Sequence, residues 1–148
     1  MPEQETIDRA REDAREGKSP STQAGEFVRQ EMHHIREGKH GARSTKQAIA
    51  IGLSEARRAG VKLPPPKAAS SATRKKASEE SAAGKRGSHK TSARRSRATS
   101  KALKREGHGA ASKSAVSRQA KSTAKRRSAA SRSASARRAA KTRAKTGR

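Results

Sequence analysis

Cysteine, tryptophan and tyrosine are absent from this 148-residue chain, and Phe27 is its one phenylalanine. Without cysteine there is no disulfide framework and no thiolate zinc site. No run of about 18 apolar residues occurs, so no segment is expected to span a membrane. The opening residues include Glu3, Glu5 and Asp8 and lack the basic and apolar regions of a secretion signal. Only 28% of the residues are apolar, too few for a large hydrophobic core. Acidic residues are scarce as well, 13 against 38 lysines and arginines, which leaves a formal net charge of +25. A surplus of that size points to a polyanionic partner.

The surplus is unevenly placed. Residues 1–63 hold 12 basic and 10 acidic side chains, whereas residues 64–148 hold 26 and 3. Pro64-Pro65-Pro66 marks the boundary, a stiff stretch that a helix does not cross. The pattern predicts a mixed-charge head, 1–63, and a cationic tail, 64–148.

Three helices are predicted in the head. The first covers roughly Glu3–Glu16, with acids in its early turns and a thin apolar face of Ile7, Ala10 and Ala14. The second starts at Ser19, a favourable N-cap followed by Pro20, and stops at Gly38. Its stripe of Ala24, Phe27, Val28, Met32 and Ile35 also contains Glu31, which calls for a basic partner. The third opens on the capping box Ser44-Thr45-Lys46-Gln47 and closes at Gly60 with Val61 beyond it. Its face of Ala48, Gly52 and Ala56 is small enough for close helix approach. Helices over 20–37 and 44–59 are therefore expected to form a hairpin. The head has ten large apolar side chains apart from Met1, which makes it marginally stable alone and suggests a protein partner or a second copy. A short repeat, Arg15-Glu16-Gly17-Lys18 and Arg36-Glu37-Gly38-Lys39, with a looser copy at Arg105-Glu106-Gly107-His108, reads as reused helix-end sequence.

The 85-residue tail contains 21 alanines, 16 serines and 26 lysines or arginines, with Leu103 and Val116 as its large apolar residues. Such a composition buries little and repels itself, so the tail is expected to be disordered when free and helical only on a polyanion. The fold expected from sequence is thus mostly disordered, with a small all-α head of two to three short helices.

The cations carry the expected function. Arg74, Lys75, Lys76, Arg94, Arg95, Arg97, Lys125, Arg126, Arg127, Arg137 and Arg138 form clusters spread along the tail and are the candidate nucleic-acid contacts. The tail has no aromatic side chain to stack on bases, so the expected mode is sequence-neutral phosphate neutralisation, a histone-like coating or condensation of double-stranded DNA. RNA or the ribosome is the alternative partner, and a scaffold whose tail binds acidic surfaces is a third reading. The tail lacks an apolar face, so no stable membrane anchoring is expected. His33, His34, Glu37 and His40 match no established ligand spacing and read as a solvated helix face. No nucleophile–base pair is identifiable. The sequence therefore predicts no enzyme, no cofactor and no metal.

The run Ser44-Thr45-Lys46-Gln47-Ala48-Ile49-Ala50-Ile51-Gly52-Leu53-Ser54-Glu55-Ala56-Arg57-Arg58-Ala59-Gly60 resembles a motif of small basic bacterial proteins that form an uncharacterised family. The upstream Arg36–Gly41 segment, Lys101–Gly107 and Ser117–Ala120 are similar to stretches of the same family. Runs such as Lys121–Lys125 and Ser128–Arg138 resemble linker-histone tails in composition. The resemblance implies a bacterial cytoplasmic protein, here expected at the nucleoid, and brings no activity with it.

Overall fold

The computed structural model describes residues 2–87 and 92–147. Seven α-helices run through them: α1 Gln4–Arg15, α2 Pro20–Arg36, α3 Thr45–Arg58, α4 Ser71–Arg86, α5 Ala93–Lys104, α6 Lys113–Arg126 and α7 Ala129–Thr146. A 3₁₀ turn, Gly109–Ala111, precedes α6. The expectation of a mostly disordered chain with a small head is overturned, because four of these helices lie in the tail.

Two physical features account for that correction. The first is capping. Ser70, Ser92, Ser112 and Ser128 each precede a tail helix, and each hydroxyl accepts from the backbone N–H three residues on, as Ser19 and Ser44 do in the head. Such a bond satisfies one of the four donors that a helix start leaves free. Between the caps stand alanine, lysine and arginine, among the best helix formers. Ser112→Ala is expected to cost about 1 kcal/mol and to raise amide exchange in the first turn of α6, which hydrogen-exchange NMR would detect.

The second feature is that the tail supplies small side chains to the core. One buried cluster holds Met32, Ile35, Ala42, Ala48 and Ala111, with Ala110 and Val116 packed against it. Another holds Ala10, Ala24, Phe27 and Ala56, with Ile7, Leu53, Val61 and Leu63 alongside. Ala77 of α4 is buried too. Counting only large apolar residues hides these contributions, because alanine and glycine let backbones approach closely.

Close approach is visible at three glycines. A Cβ at Gly52 would lie 2.7 Å from Val28 Cα, so α2 and α3 meet backbone to backbone. A Cβ at Gly41 would lie 1.9 Å from the Glu106 carbonyl oxygen, and one at Gly84 would lie 2.2 Å from that of Arg57. Both of the latter approaches join the head to the tail.

Polar ties reinforce them. Gly41 N donates to Leu103 O and Ala42 N to Gly107 O. Arg36 Nε donates to Ala111 O and Thr45 Oγ1 to Ala110 O, each at 2.7 Å. The 3₁₀ turn is therefore held by side chains of α2 and α3. Glu80 of α4 is buried against α3, where Ser54 Oγ donates to its Oε1 at 2.6 Å and Arg57 Nη1 lies 3.5 Å from its Oε2.

The short repeat has a structural meaning at two of its three copies. At Gly17 and Gly38 the backbone turns left-handed, and the N–H groups of Lys18 and Lys39 reach back to Asp13 O and His34 O. This is the Schellman ending that Gly60 and Val61 also make. Gly107 is not left-handed, and the 103–107 segment is instead the acceptor strip for Gly41 and Ala42.

Candidate functional site

The eleven basic residues singled out in the sequence are all exposed. Arg74, Lys75 and Lys76 lie on α4, Arg94, Arg95 and Arg97 on α5, Lys125 and Arg126 at the end of α6, and Arg137 and Arg138 on α7. They are distributed over four helices and do not converge on one pocket. Arg127 is partly engaged, since its guanidinium donates to Ser131 O at 3.0 Å and to the Ser131 hydroxyl. Arg132, not singled out in the sequence, donates to Ala124 O and Arg127 O at the end of α6. These two arginines shape the α6–α7 junction.

Helices α5, α6 and α7 have no fully buried residue, although Val116 of α6 packs against the core. They carry five, five and six lysines or arginines and no acid. Ser96, Arg97, Ser100, Lys101, Lys104 and Arg105 line a shallow strip along α5, and Arg118, Lys121, Ser122, Lys125 and Arg126 line a similar one on α6. The i, i+4 spacing brings each strip onto one helix face. Among the described residues, no lysine or arginine beyond Arg58 has a carboxylate oxygen within 4.0 Å. The head differs sharply. There Arg9 pairs with Glu5 and Glu26, Arg29 with Glu26, Lys18 with Asp13, and Lys39 with Glu3 and Glu37.

A second constellation sits between α1, α2 and the loop after α2. Glu31 is 2% exposed. It faces His40, whose Nε2 lies 3.5 Å from Glu31 Oε2. His34, one turn along α2, is half-buried, and Glu3 Oε1 lies 3.0 Å from its Nε2. One donor atom from each of Glu31, His34 and His40 falls within 4.8 Å of the others. Burial raises the Glu31 carboxyl above the ordinary range, against the pull of His40. Burial raises half-buried Glu55 likewise. Hydrogen bonds from His34 and Lys39 hold exposed Glu3 below the usual carboxylate range. Lys39 and then His33 do the same for Glu37.

The sequence places His33, His34, Glu37 and His40 together. The structure separates them: His33 Nδ1 lies 3.1 Å from Glu37 Oε1 on an exposed face, while His34 and His40 turn toward Glu31. The available signal was Glu31 itself, an acid inside an apolar stripe.

No curated protein and no solved structure matches the chain. No helix among the described residues is long and apolar enough to cross a membrane. Residues 17–67, which contain α2, α3 and the loop between them, match the family described as Family of unknown function (DUF6496).

Proposed function

We propose that this protein binds nucleic acid without reading its sequence, by laying the cationic faces of α5, α6 and α7 along the phosphate backbone of double-stranded DNA in a histone-like coating. The observation that carries this reading is the unneutralised charge: three exposed helices with cations, no acid and no carboxylate partner. A cation already paired with an acid must give up that partner to meet a phosphate. A solvated, unpaired one exchanges only water and counterions, and counterion release is the main driving term in such binding. Arginine's planar fork suits phosphate oxygens.

The head has a different role in this reading. Its charges are mostly paired, and its side chains hold the 3₁₀ turn from which α6 departs. It acts as a base that fixes where the cationic helices begin, and it is the part available for self-association or a protein partner. Action at the bacterial nucleoid follows from this proposal.

The test uses the whole chain. Arg137→Gln combined with Arg138→Gln removes two exposed, unpaired cations from α7. Duplex affinity is expected to fall several-fold, and the salt dependence to become shallower by about 1 for each phosphate no longer neutralised. The matched change at Arg11 and Arg29, which pair with Asp8 and Glu26, is expected to leave both quantities nearly unchanged. Equal weakening by the two double variants in a fluorescence anisotropy titration would remove the tail from the binding surface.

A further inference from the structure

We propose that Glu31, His34 and His40 form a binding site for a divalent transition-metal ion of the Zn²⁺ class, linking α2 to the loop that docks the tail. The geometry is close to that of a bound ion. In a tetrahedral site with bonds of about 2.0–2.1 Å, neighbouring donor atoms stand about 3.3 Å apart. Glu31 Oε2 and His40 Nε2 are already 3.5 Å apart. The His34 and His40 rings meet edge to face at 78°, with centroids 6.3 Å apart. The three donor atoms lie within 4.8 Å of one another, so closing by up to about 1.5 Å brings them to the spacing of a bound ion.

The second observation is a carboxylate that is almost wholly buried and not satisfied. Glu31 is 2% exposed, and its Oε1 has no hydrogen-bond partner. An orphaned buried oxygen of this kind is costly and calls for a missing partner. The neighbouring ring is prepared to supply a lone pair. His40 Nδ1 lies 3.2 Å from the Gly41 carbonyl oxygen and donates to it, since a carbonyl can only accept. With the proton on Nδ1, the neutral ring presents Nε2 to Glu31 with its lone pair outward. A lone pair and a carboxylate oxygen repel at this distance unless a cation lies between them. His34 has an outer support of its own in Glu3, the carboxylate–histidine arrangement that steadies metal-binding rings.

The donor set selects the class of ion. Two imidazoles and one carboxylate suit Zn²⁺ and its neighbours, whereas Ca²⁺ and Mg²⁺ want mostly oxygen. Three protein donors leave a fourth position for water. The rival occupant is a proton shared between Glu31 and His40, which would make the cluster a simple hydrogen-bonded pair. The position also suggests a use. His40 adjoins Gly41 and Ala42, whose N–H groups donate to Leu103 O and Gly107 O. An ion here would fasten that loop and so the α5–α6 connection.

The test is a titration of full-length, metal-free protein with Zn²⁺ in competition with a chromophoric chelator, alongside Co²⁺ absorption spectroscopy. One tight ion per chain is expected, with the intense visible bands of four-coordinate Co²⁺, and with slowed amide exchange over residues 38–43. His40→Gln and Glu31→Gln are each expected to weaken binding at least 10-fold. His33→Gln, whose exposed ring faces Glu37, is expected to change it less than 2-fold. If Glu31→Gln fails to fold, His40→Gln decides, because that side chain is 20% exposed and tolerates replacement. Absence of a tight site, or equal weakening by His33→Gln and His40→Gln, would overturn the proposal and leave a proton as the occupant.

Discussion

Gly84→Ala is expected to destabilise the protein by about 2–4 kcal/mol, although alanine is the better helix former by about 1 kcal/mol. The new Cβ would stand 2.2 Å from Arg57 O and 3.2 Å from Arg58 O, both backbone atoms at the end of α3. Neither can step aside without unwinding that turn, so α4 must move off α3. The move would expose Ala77 and separate Glu80 from Ser54 and Arg57. Arg57 is 7% exposed, and stranding one member of a buried pair costs about 3–5 kcal/mol, from which the propensity gain is subtracted. Gly25→Ala provides the control. It makes the same chemical change inside α2, where an added Cβ meets nothing within 4 Å, and is expected to stabilise by about 0.5–1 kcal/mol. Urea unfolding of both variants measures the two signs. Reduced amide protection confined to α4 in Gly84→Ala would show that the helix has left its seat. Equal stabilisation by both substitutions would mean that α4 does not pack on α3 in solution.

That pair of glycines also shows how far the sequence could be read. Both sit within helical patterns, and nothing local distinguishes one that faces water from one pressed against another backbone. The local signals were legible. Ser19 and Ser44 as caps, Gly38 and Gly60 as stops, and the small face of Ala48, Gly52 and Ala56 all stand where the chain uses them. Ser70, Ser92, Ser112 and Ser128 carry the same capping signal. The serines around them mask it, and the tail's share of the core is built from small side chains. Ala111, wholly buried between α2 and α3, is invisible to a count of large ones.

The candidate sites divide in the same way. Exposure of the tail cations singled out in the sequence follows from composition, since no described carboxylate lies within 4.0 Å of them. Which of them share a helix face depends on where the helices start, and so on those caps. The Glu31 cluster depends on a long-range fact. Gly38 turns left-handed, the loop folds back, and His40 comes to face a residue nine positions earlier. Spacing along the chain favoured His33 with Glu37, one helical turn apart. Those two do meet, on the exposed side.

The largest expected effect is the response of DNA binding to salt. Helices α5, α6 and α7 carry 16 lysines and arginines. On a formed helix these cations point in all directions, so about half can face one duplex at a time. About eight neutralised phosphates give a slope near −7 in a plot of log affinity against log salt, from about −0.9 per phosphate. Raising salt from about 50 to 200 mM is then expected to weaken binding about 10⁴-fold. Base recognition would behave differently, adding a salt-insensitive part and a preference among sequences. Neither is expected, because the cationic strips on α5 and α6 consist of lysine, arginine and serine on exposed faces, groups suited to phosphate oxygens. Fluorescence anisotropy over a salt series, on several duplexes of equal length and different sequence, measures both quantities, and an RNA duplex in the same series separates the two polyanions. Affinities for the DNA duplexes should agree within a few-fold at each salt concentration. A slope shallower than about −3 would show that most of these cations never reach phosphate. A hundredfold preference for one duplex would transfer the recognition to a defined surface, and α3, with exposed Lys46 and Arg58 beside its packed face, would be the first helix to substitute.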